Sequence, residues 1–284
     1  MVGGVPMSGL AAEVPEPRAI IVAIHGGATS SRYFDCPGHP RLSLLRMAAS
    51  LGYTAIALDR PGYGASALYQ DEMTQPEQRV ALAFGALDKI VGSGSRGAGV
   101  FLLAHSAGCE LGLRMAVDDR GADVFGIELA GTGLNYHADA KPVLSQATTT
   151  RRPAGLRDLL WQPTDLYPAE VLTGALSAAG AEYEVDTTTN WRHRDFPATA
   201  AMVKVPVEFS AGDHESVWDS TPAALADIAA LFTSSARVVL NEVPNGGHNL
   251  SVGLTADAYH RHVLSFVEEC AVGREGPGVE MEAG

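Results

Sequence analysis

Six short, almost continuously apolar runs alternate with longer amphipathic stretches along this chain of 284 residues, and that alternation restricts the fold more than any other feature. The runs occupy residues 19–25, 54–59, 99–105, 124–130, 205–210 and 237–243. Strands apolar on both faces belong to parallel sheets buried between helices. Between the runs, residues 39–51, 75–91, 106–117 and 255–270 have helical spacing. In the second of these, Val80, Phe84, Leu87 and Val91 recur at intervals of 4, 3 and 4. The pattern predicts an α/β fold, a mostly parallel twisted sheet flanked by helices. Residues 7–13 are expected to add one weak antiparallel edge strand.

The alternation breaks once. Residues 131–204 contain no clear buried strand, but hold Trp161, Trp191, Tyr136, Tyr167 and Tyr183 among several prolines. That is too long for a structureless connection within a compact domain. The expected organisation is therefore a core of residues 1–133 and 205–272, a helical cap inserted at 134–204, and a flexible Gly/Glu-rich tail at 273–284.

Composition removes several classes of function. Hydrophobic residues make up 46% and charged residues 19%, too apolar for a chain that is mainly disordered. The net charge of −13, with no basic run longer than Arg151–Arg152, argues against nucleic-acid binding. No apolar run is long enough to span a bilayer, and residues 1–8 lack a signal-peptide pattern, so no membrane role and a cytoplasmic location are expected. Three widely spaced cysteines, Cys36, Cys109 and Cys270, read as reduced thiols and offer no metal-binding spacing. Residues 134–204 carry a net charge of only −1 against −12 for the rest. Arg151, Arg152, Arg192 and Arg194 in that segment could meet an acidic partner.

The chemistry centres on Ala104-His105-Ser106-Ala107-Gly108, which ends the third run and opens a helix. A small-x-Ser-x-Gly turn between strand and helix lifts a serine hydroxyl clear of the sheet edge. His25-Gly26-Gly27 ends the first run, and there the Gly27 N–H can join that of Ala107 as an oxyanion-binding pair. Asn245-Gly-Gly-His248 follows the sixth run and puts a histidine at the same sheet edge as a general base. After the fifth run, Gly212-Asp213-His214-Glu215 offers two carboxylates to orient that histidine, and Glu128 inside the fourth run is a remoter third. His105 and Cys109 read as packing residues.

The order Ser106, acid, His248, with His25-Gly26-Gly27 upstream and Asp59-Arg60-Pro61-Gly62-Tyr63-Gly64 between, resembles the α/β-hydrolase superfamily over residues 18–134 and 204–270. The departure is Ala104, where the first glycine of the turn usually stands. Many members carry the acid three residues after the glycine ending its strand, which favours Glu215 over Asp213. The resemblance implies catalysis by Ser106, His248 and Glu215, with Gly27 and Ala107 as oxyanion hole and no cofactor or metal. It implies a serine hydrolase that cleaves an ester or thioester of a small acyl substrate. An acyltransferase or thioesterase working on an acidic acyl-carrier protein is the alternative, and a non-catalytic ligand-binding member of the fold is the second. Arg32, Tyr33 and Phe34, with Trp161 and Trp191, are expected to bind an apolar or aromatic acyl group, unless the cap aromatics form a small core of their own. The 59–64 turn is expected to be scaffold.

Overall fold

A computed structural model describes residues 1–146, 153–184 and 190–275. Seven strands form one sheet: β1 (Gly9–Ala12), β2 (Ile20–Ile24), β3 (Thr54–Leu58), β4 (Val100–His105), β5 (Val124–Ala130), β6 (Val207–Gly212) and β7 (Val238–Val243). Their order is β1-β3-β2-β4-β5-β6-β7. All neighbours are parallel except β1, which runs antiparallel to β3 with Gly9 opposite Leu58. β2 to β6 are buried along their whole length, as their largely apolar character requires, although β5 and β6 carry Glu128 and Glu208 into the interior. β7, at the free edge, is only half-buried and alternates Leu240, Asn241 and Glu242.

Helices cover both faces. α1 (Leu44–Ser50) lies with α9 (Ala256–Glu275) on one face, where Phe101, Phe125 and Phe266 meet in a ring cluster. α2 (Pro76–Val91), α3 (Gly108–Val117) and α8 (Pro222–Ala229) cover the other over Ile24, Leu102, Ile127 and Phe209. α1 is shorter than its spacing predicts. Pro40–Leu42 forms a separate 3₁₀ turn, and the true start is Ser43, whose Oγ accepts the Arg46 N–H at 3.1 Å. α9 runs past its expected end to Glu275, so residues 273–275 are helix rather than tail; 276–284 lie outside the described residues.

Between β5 and β6 the described residues include four short helices: α4 (Ala140–Leu144), α5 (Leu156–Trp161), α6 (Ala169–Leu172) and α7 (Phe196–Ala200). The middle of this segment rests on the loops that leave the carboxyl ends of the strands. Ala178 N–H donates to Ala28 O at 2.9 Å, and Tyr183 Oη donates to Pro61 O at 2.9 Å. From Trp191 onward the chain packs into the main core. Trp191 stacks on Phe196 at 5.4 Å between ring centres, in one cluster with Val203, Phe209 and Phe232. Among the described residues no helix is long and apolar enough to cross a membrane.

One polar pair interrupts this core. Glu128 and Glu208 are register partners on β5 and β6, and both are buried. Tyr259 Oη of α9 donates to Glu128 at 3.0 Å, and His262 Nε2 lies 3.0 Å from Glu208. Glu128 therefore faces α9. Burial, then the neighbouring Glu208 carboxylate, holds the Glu128 carboxyl well above its ordinary range. Burial also pushes Glu208 up to about 7. Between the ordinary value of 4.5 and about 7, the folded chain keeps a proton that the unfolded chain has shed. That contribution to stability is complete at low pH and is lost as pH rises through this window. Urea unfolding should show Glu208→Gln flattening the fall in stability between about pH 5 and about pH 8, with the variant gaining on the wild type at the upper end. An unchanged slope would mean that Glu208 does not hold its proton above the ordinary carboxylate range.

Candidate active site

Ser106 sits at φ +53°, in the left-handed region that L side chains rarely adopt, at the turn between β4 and α3. Its N–H donates to Ala130 O at 2.8 Å, and its carbonyl accepts the Cys109 N–H at 2.9 Å, so both ends of the turn are held. Two residues on, Gly108 passes so close to β2 that a Cβ there would stand 2.5 Å from His25 O and 2.6 Å from Ile24 O. Ala104 is accommodated from the opposite side. Gly112 of α3 faces it, and a Cβ on Gly112 would lie 2.8 Å from the Ala104 methyl. The departure at position 104 is thus matched by a glycine one helical turn further along α3.

His248 Nε2 lies 3.2 Å from Ser106 Oγ. Its other ring nitrogen, Nδ1, is 2.9 Å and 3.1 Å from the two oxygens of Glu215. Nδ1–H therefore donates to the carboxylate, and the Nε2 lone pair faces the serine hydroxyl. Glu215 also accepts the N–H of Val217 at 2.7 Å and that of Trp218 at 3.4 Å. Burial alone would raise its carboxyl, but His248 and these backbone donors more than offset that and hold it below the usual carboxylate range. Asp213 is exposed and accepts the Gly246 N–H at 3.1 Å, which braces the loop carrying His248. Of the three carboxylates considered, Glu215 alone contacts His248; Glu128 faces α9.

The His248 loop is pinned from two further sides. His105 Nε2–H donates to His248 O at 3.0 Å, while its ring stacks on Tyr33 at 4.6 Å. Burial, with His248 adding to it, pushes His105 down to about 3, so it is a neutral donor. Asn249 donates its N–H to Tyr167 Oη at 3.2 Å and its side-chain amide to Leu160 O at 2.7 Å. Glycine at 247 leaves room for this hydroxyl, since a Cβ there would stand 2.3 Å from Tyr167 Oη and 3.0 Å from Gln162 O.

Gly27 approaches the serine turn from β2: a Cβ built on it would lie 3.7 Å from the Ala107 methyl. The next N–H, of Ala28, already donates to Tyr63 Oη at 3.0 Å. The Gly27 and Ala107 N–H groups have no acceptor among the described residues. His25 braces this loop as a fixed tautomer, its Nε2 accepting the Arg60 N–H at 3.0 Å and its Nδ1–H donating to Gly26 O at 2.8 Å. Asp59 ties the loop after β3 to the loop after β2 by accepting Ser31 N–H at 2.8 Å, and to the residue before β1 by accepting the Ser8 hydroxyl at 2.7 Å.

A cavity of about 460 Å³ opens over Ser106 and His248. Gly26 to Thr29 form one wall; Leu156, Leu160, Trp161, Val171, Leu172 and Leu176 form an apolar one, and Arg157 brings a charge to it. Of the five side chains expected to bind substrate, only Trp161 lines this space. Tyr33 and Phe34 are buried in the core, packed edge to face at 5.0 Å, because the 3₁₀ turn Ser31–Phe34 folds them inward. Arg32 faces solvent from the same turn. Trp191 is withdrawn by its stacking on Phe196. The leucine wall was missed, although the i,i+4 pairs Leu156/Leu160 and Leu172/Leu176 are visible in the sequence. Among the described residues no group of three or more His, Cys, Asp or Glu side chains is placed to hold a metal ion. Arg192 lies over the Tyr136 ring at 4.3 Å and Arg194 pairs with Asp195; Arg151 and Arg152 lie outside the described residues.

The sequence model of the alpha/beta hydrolase family matches residues 21–261. No curated protein sequence gives a significant match. Several solved structures are similar in fold. The enol-lactonase from Burkholderia xenovorans has 17% identity and a TM-score of 0.63, with 94% of this chain and 98% of that one covered. The monoacylglycerol lipase of Paleococcus ferrophilus has 16% identity and a TM-score of 0.61, covering 94% and 100%. The thioesterase domain from the curacin biosynthetic pathway has 20% identity and a TM-score of 0.57, covering 89% and 93%. The strained serine turn, the sheet order and a sequence match over most of its length agree: the chain belongs to the alpha/beta hydrolase family.

Proposed function

We propose that the protein is a serine hydrolase that cleaves a carboxylic ester or thioester of a small apolar acyl substrate through an acyl-Ser106 intermediate. The observation that carries this reading is the continuous line of hydrogen bonds from Glu215 through His248 to Ser106 Oγ, at the floor of the 460 Å³ cavity. Fold neighbours named for lactonase, lipase and thioesterase activity are in keeping with acyl chemistry.

The steps follow from the atoms. His248 Nε2 takes the hydroxyl proton as Ser106 Oγ bonds to the substrate carbonyl carbon. The carbonyl π electrons move to oxygen, which the Gly27 and Ala107 N–H groups face. Glu215 stabilises the imidazolium that results. When the tetrahedral carbon collapses, the leaving alkoxide or thiolate takes the proton from Nε2. Water then loses a proton to the same nitrogen as it attacks the acyl carbon, and when that tetrahedral carbon collapses the departing Ser106 Oγ takes the proton back from Nε2. The leucine wall and Trp161 receive the acyl chain, and their burial of its methylenes supplies about 0.8 kcal/mol for each.

Intact-protein mass after brief exposure to p-nitrophenyl butyrate and butyryl thioesters should show an acyl adduct on the wild type and none on Ser106→Ala. Turnover should fall at least about a thousandfold in that variant. If a fluorophosphonate probe and the whole panel leave the wild type unmodified, the hydrolase reading is withdrawn in favour of ligand binding. Added amines, alcohols or carrier proteins that consume the adduct faster than water would instead identify a transferase.

Replacing each carboxylate near His248 distinguishes their roles. Glu215→Gln should lower kcat by about 10²–10⁴-fold with little change in KM, because the imidazolium loses its counter-charge. Asp213→Asn should stay within about tenfold of wild type, since it removes only a brace on the loop. The reverse ranking would move the acid to Asp213.

A further inference from the structure

Arg60 follows β3 and is 1% exposed. Its side chain turns inward, behind the two backbone segments that present the Gly27 and Ala107 N–H groups. Nη2 donates to Gly26 O at 3.0 Å, and Nη1 reaches Ala107 O at 3.5 Å. The Gly26 carbonyl and the Gly27 N–H are opposite ends of one planar trans peptide, so whatever fixes the first sets the direction of the second. Thr29 Oγ1 and His25 Nδ1 also donate to Gly26 O, at 3.1 and 2.8 Å, but both are neutral. A cation on that oxygen additionally draws electron density through the amide and makes its N–H a stronger donor.

The guanidinium is itself held from the insertion between β5 and β6. Glu184 pairs with Nη2, and Tyr183 Oη lies 3.4 Å from Nη1. Tyr183 in turn is covered by the Arg79 guanidinium, 4.1 Å above its ring. Glu184 reaches so far inward that its Oε2 is 3.4 Å from where a Gly27 Cβ would stand. Burial opposes the charge on Arg60, but Glu184 and the neighbouring Tyr183 and Tyr63 keep it protonated. Buried ion pairs add little net stability over an apolar pair of the same shape. Stability alone therefore does not account for a guanidinium at this place.

We propose that Arg60 is a positioning residue for the oxyanion-binding backbone: its forked guanidinium fixes the Gly26–Gly27 peptide relative to Ala107, and Glu184 of the insertion holds the fork in place. The kinetic consequence rests on the acyl-Ser106 reading; the geometry does not. Because the oxyanion develops only on the way to the tetrahedral intermediate, a misaligned Gly27 N–H lowers kcat while leaving ground-state binding nearly intact.

The test uses two variants of the full chain. Arg60→Lys keeps the cation but loses the fork. Arg60→Met combined with Glu184→Gln removes both charges, so that no carboxylate is stranded beside Gly27. On p-nitrophenyl butyrate both should lower kcat by about 10–100-fold with KM within about threefold, and binding of a hexyl trifluoromethyl ketone should weaken in step with kcat. In ¹⁵N-glycine-labelled protein the Gly27 amide resonance, assigned through Gly27→Ala, should move in Arg60→Lys. Wild-type kcat in Arg60→Lys, or an unmoved Gly27 amide, overturns the proposal. If wild-type Ser106 is never acylated, the hydrolase reading fails by itself. The Gly27 resonance in Arg60→Lys then decides this inference: a shift upholds it and an unmoved signal removes it. Should the double variant not fold, Arg60→Lys gives both readouts.

Discussion

The contact between Gly108 and the end of β2 is the constraint on which the site depends. Ser106 can hold φ +53° only because the chain on either side of it is tied, and the following turn can close only because Gly108 has no side chain to strike His25 O and Ile24 O. That approach puts the loop after β2 beside the turn after β4. Gly27 and Ala107 come within van der Waals contact for this reason, a Cβ built on Gly27 standing 3.7 Å from the Ala107 methyl. Strain at the serine of order 1–3 kcal/mol is offset by a sheet whose β2, β4 and β5 are buried on both faces.

Orientation of the histidine follows a second rule: each of its polar neighbours has a fixed protonation. His105 is neutral and donates from Nε2, so it grips the His248 carbonyl and leaves the His248 ring free for Ser106 and Glu215. Glu215 is kept ionised in a buried place by His248 and two backbone N–H groups. An imidazole between an anion and a hydroxyl has one sensible tautomer, with the lone pair toward the hydroxyl. The proton inventory around Ser106 is thereby determined by hydrogen-bond partners rather than by solvent.

Most of the sheet is legible in the sequence because a strand buried on both faces must be continuously apolar, and β2 to β5 meet that rule within a residue or two. The serine turn, the His-Gly-Gly segment and the Asn-Gly-Gly-His loop are legible because close backbone approach leaves glycine as the residue that fits. Glu215 was separable from Asp213 only through family resemblance, since both carboxylates follow β6 and only the three-dimensional path of the loop decides which one turns inward. α8 escaped notice although Thr221, Pro222 and the apolar pair Leu225 and Ile228 mark it, with Phe232 just past its end; its alanines blur the amphipathic contrast. The pocket was the least legible part. Aromatic residues draw attention by size, yet Tyr33, Phe34 and Trp191 spend that size in the core, and the cavity wall falls to leucines on short helices.

The insertion between β5 and β6 touches the site at both of its halves. Leu160 and Tyr167 hold the loop that carries His248, while Tyr183 and Glu184 hold the arginine behind Gly27. The same segment supplies the apolar wall of the cavity. Changes in the insertion therefore act on the cavity wall, on the His248 loop and on the Gly26–Gly27 segment together, although Ser106, His248 and Glu215 all lie outside it. The insertion is also part of the core: Tyr167, Val171 and Leu176 pack on the α1 and α9 face, and Trp191, Phe196 and Val203 on the α2, α3 and α8 face. A segment that joins the core on both faces of the sheet while bracing two loops of the site can reshape the cavity wall only through side chains not already committed to that core.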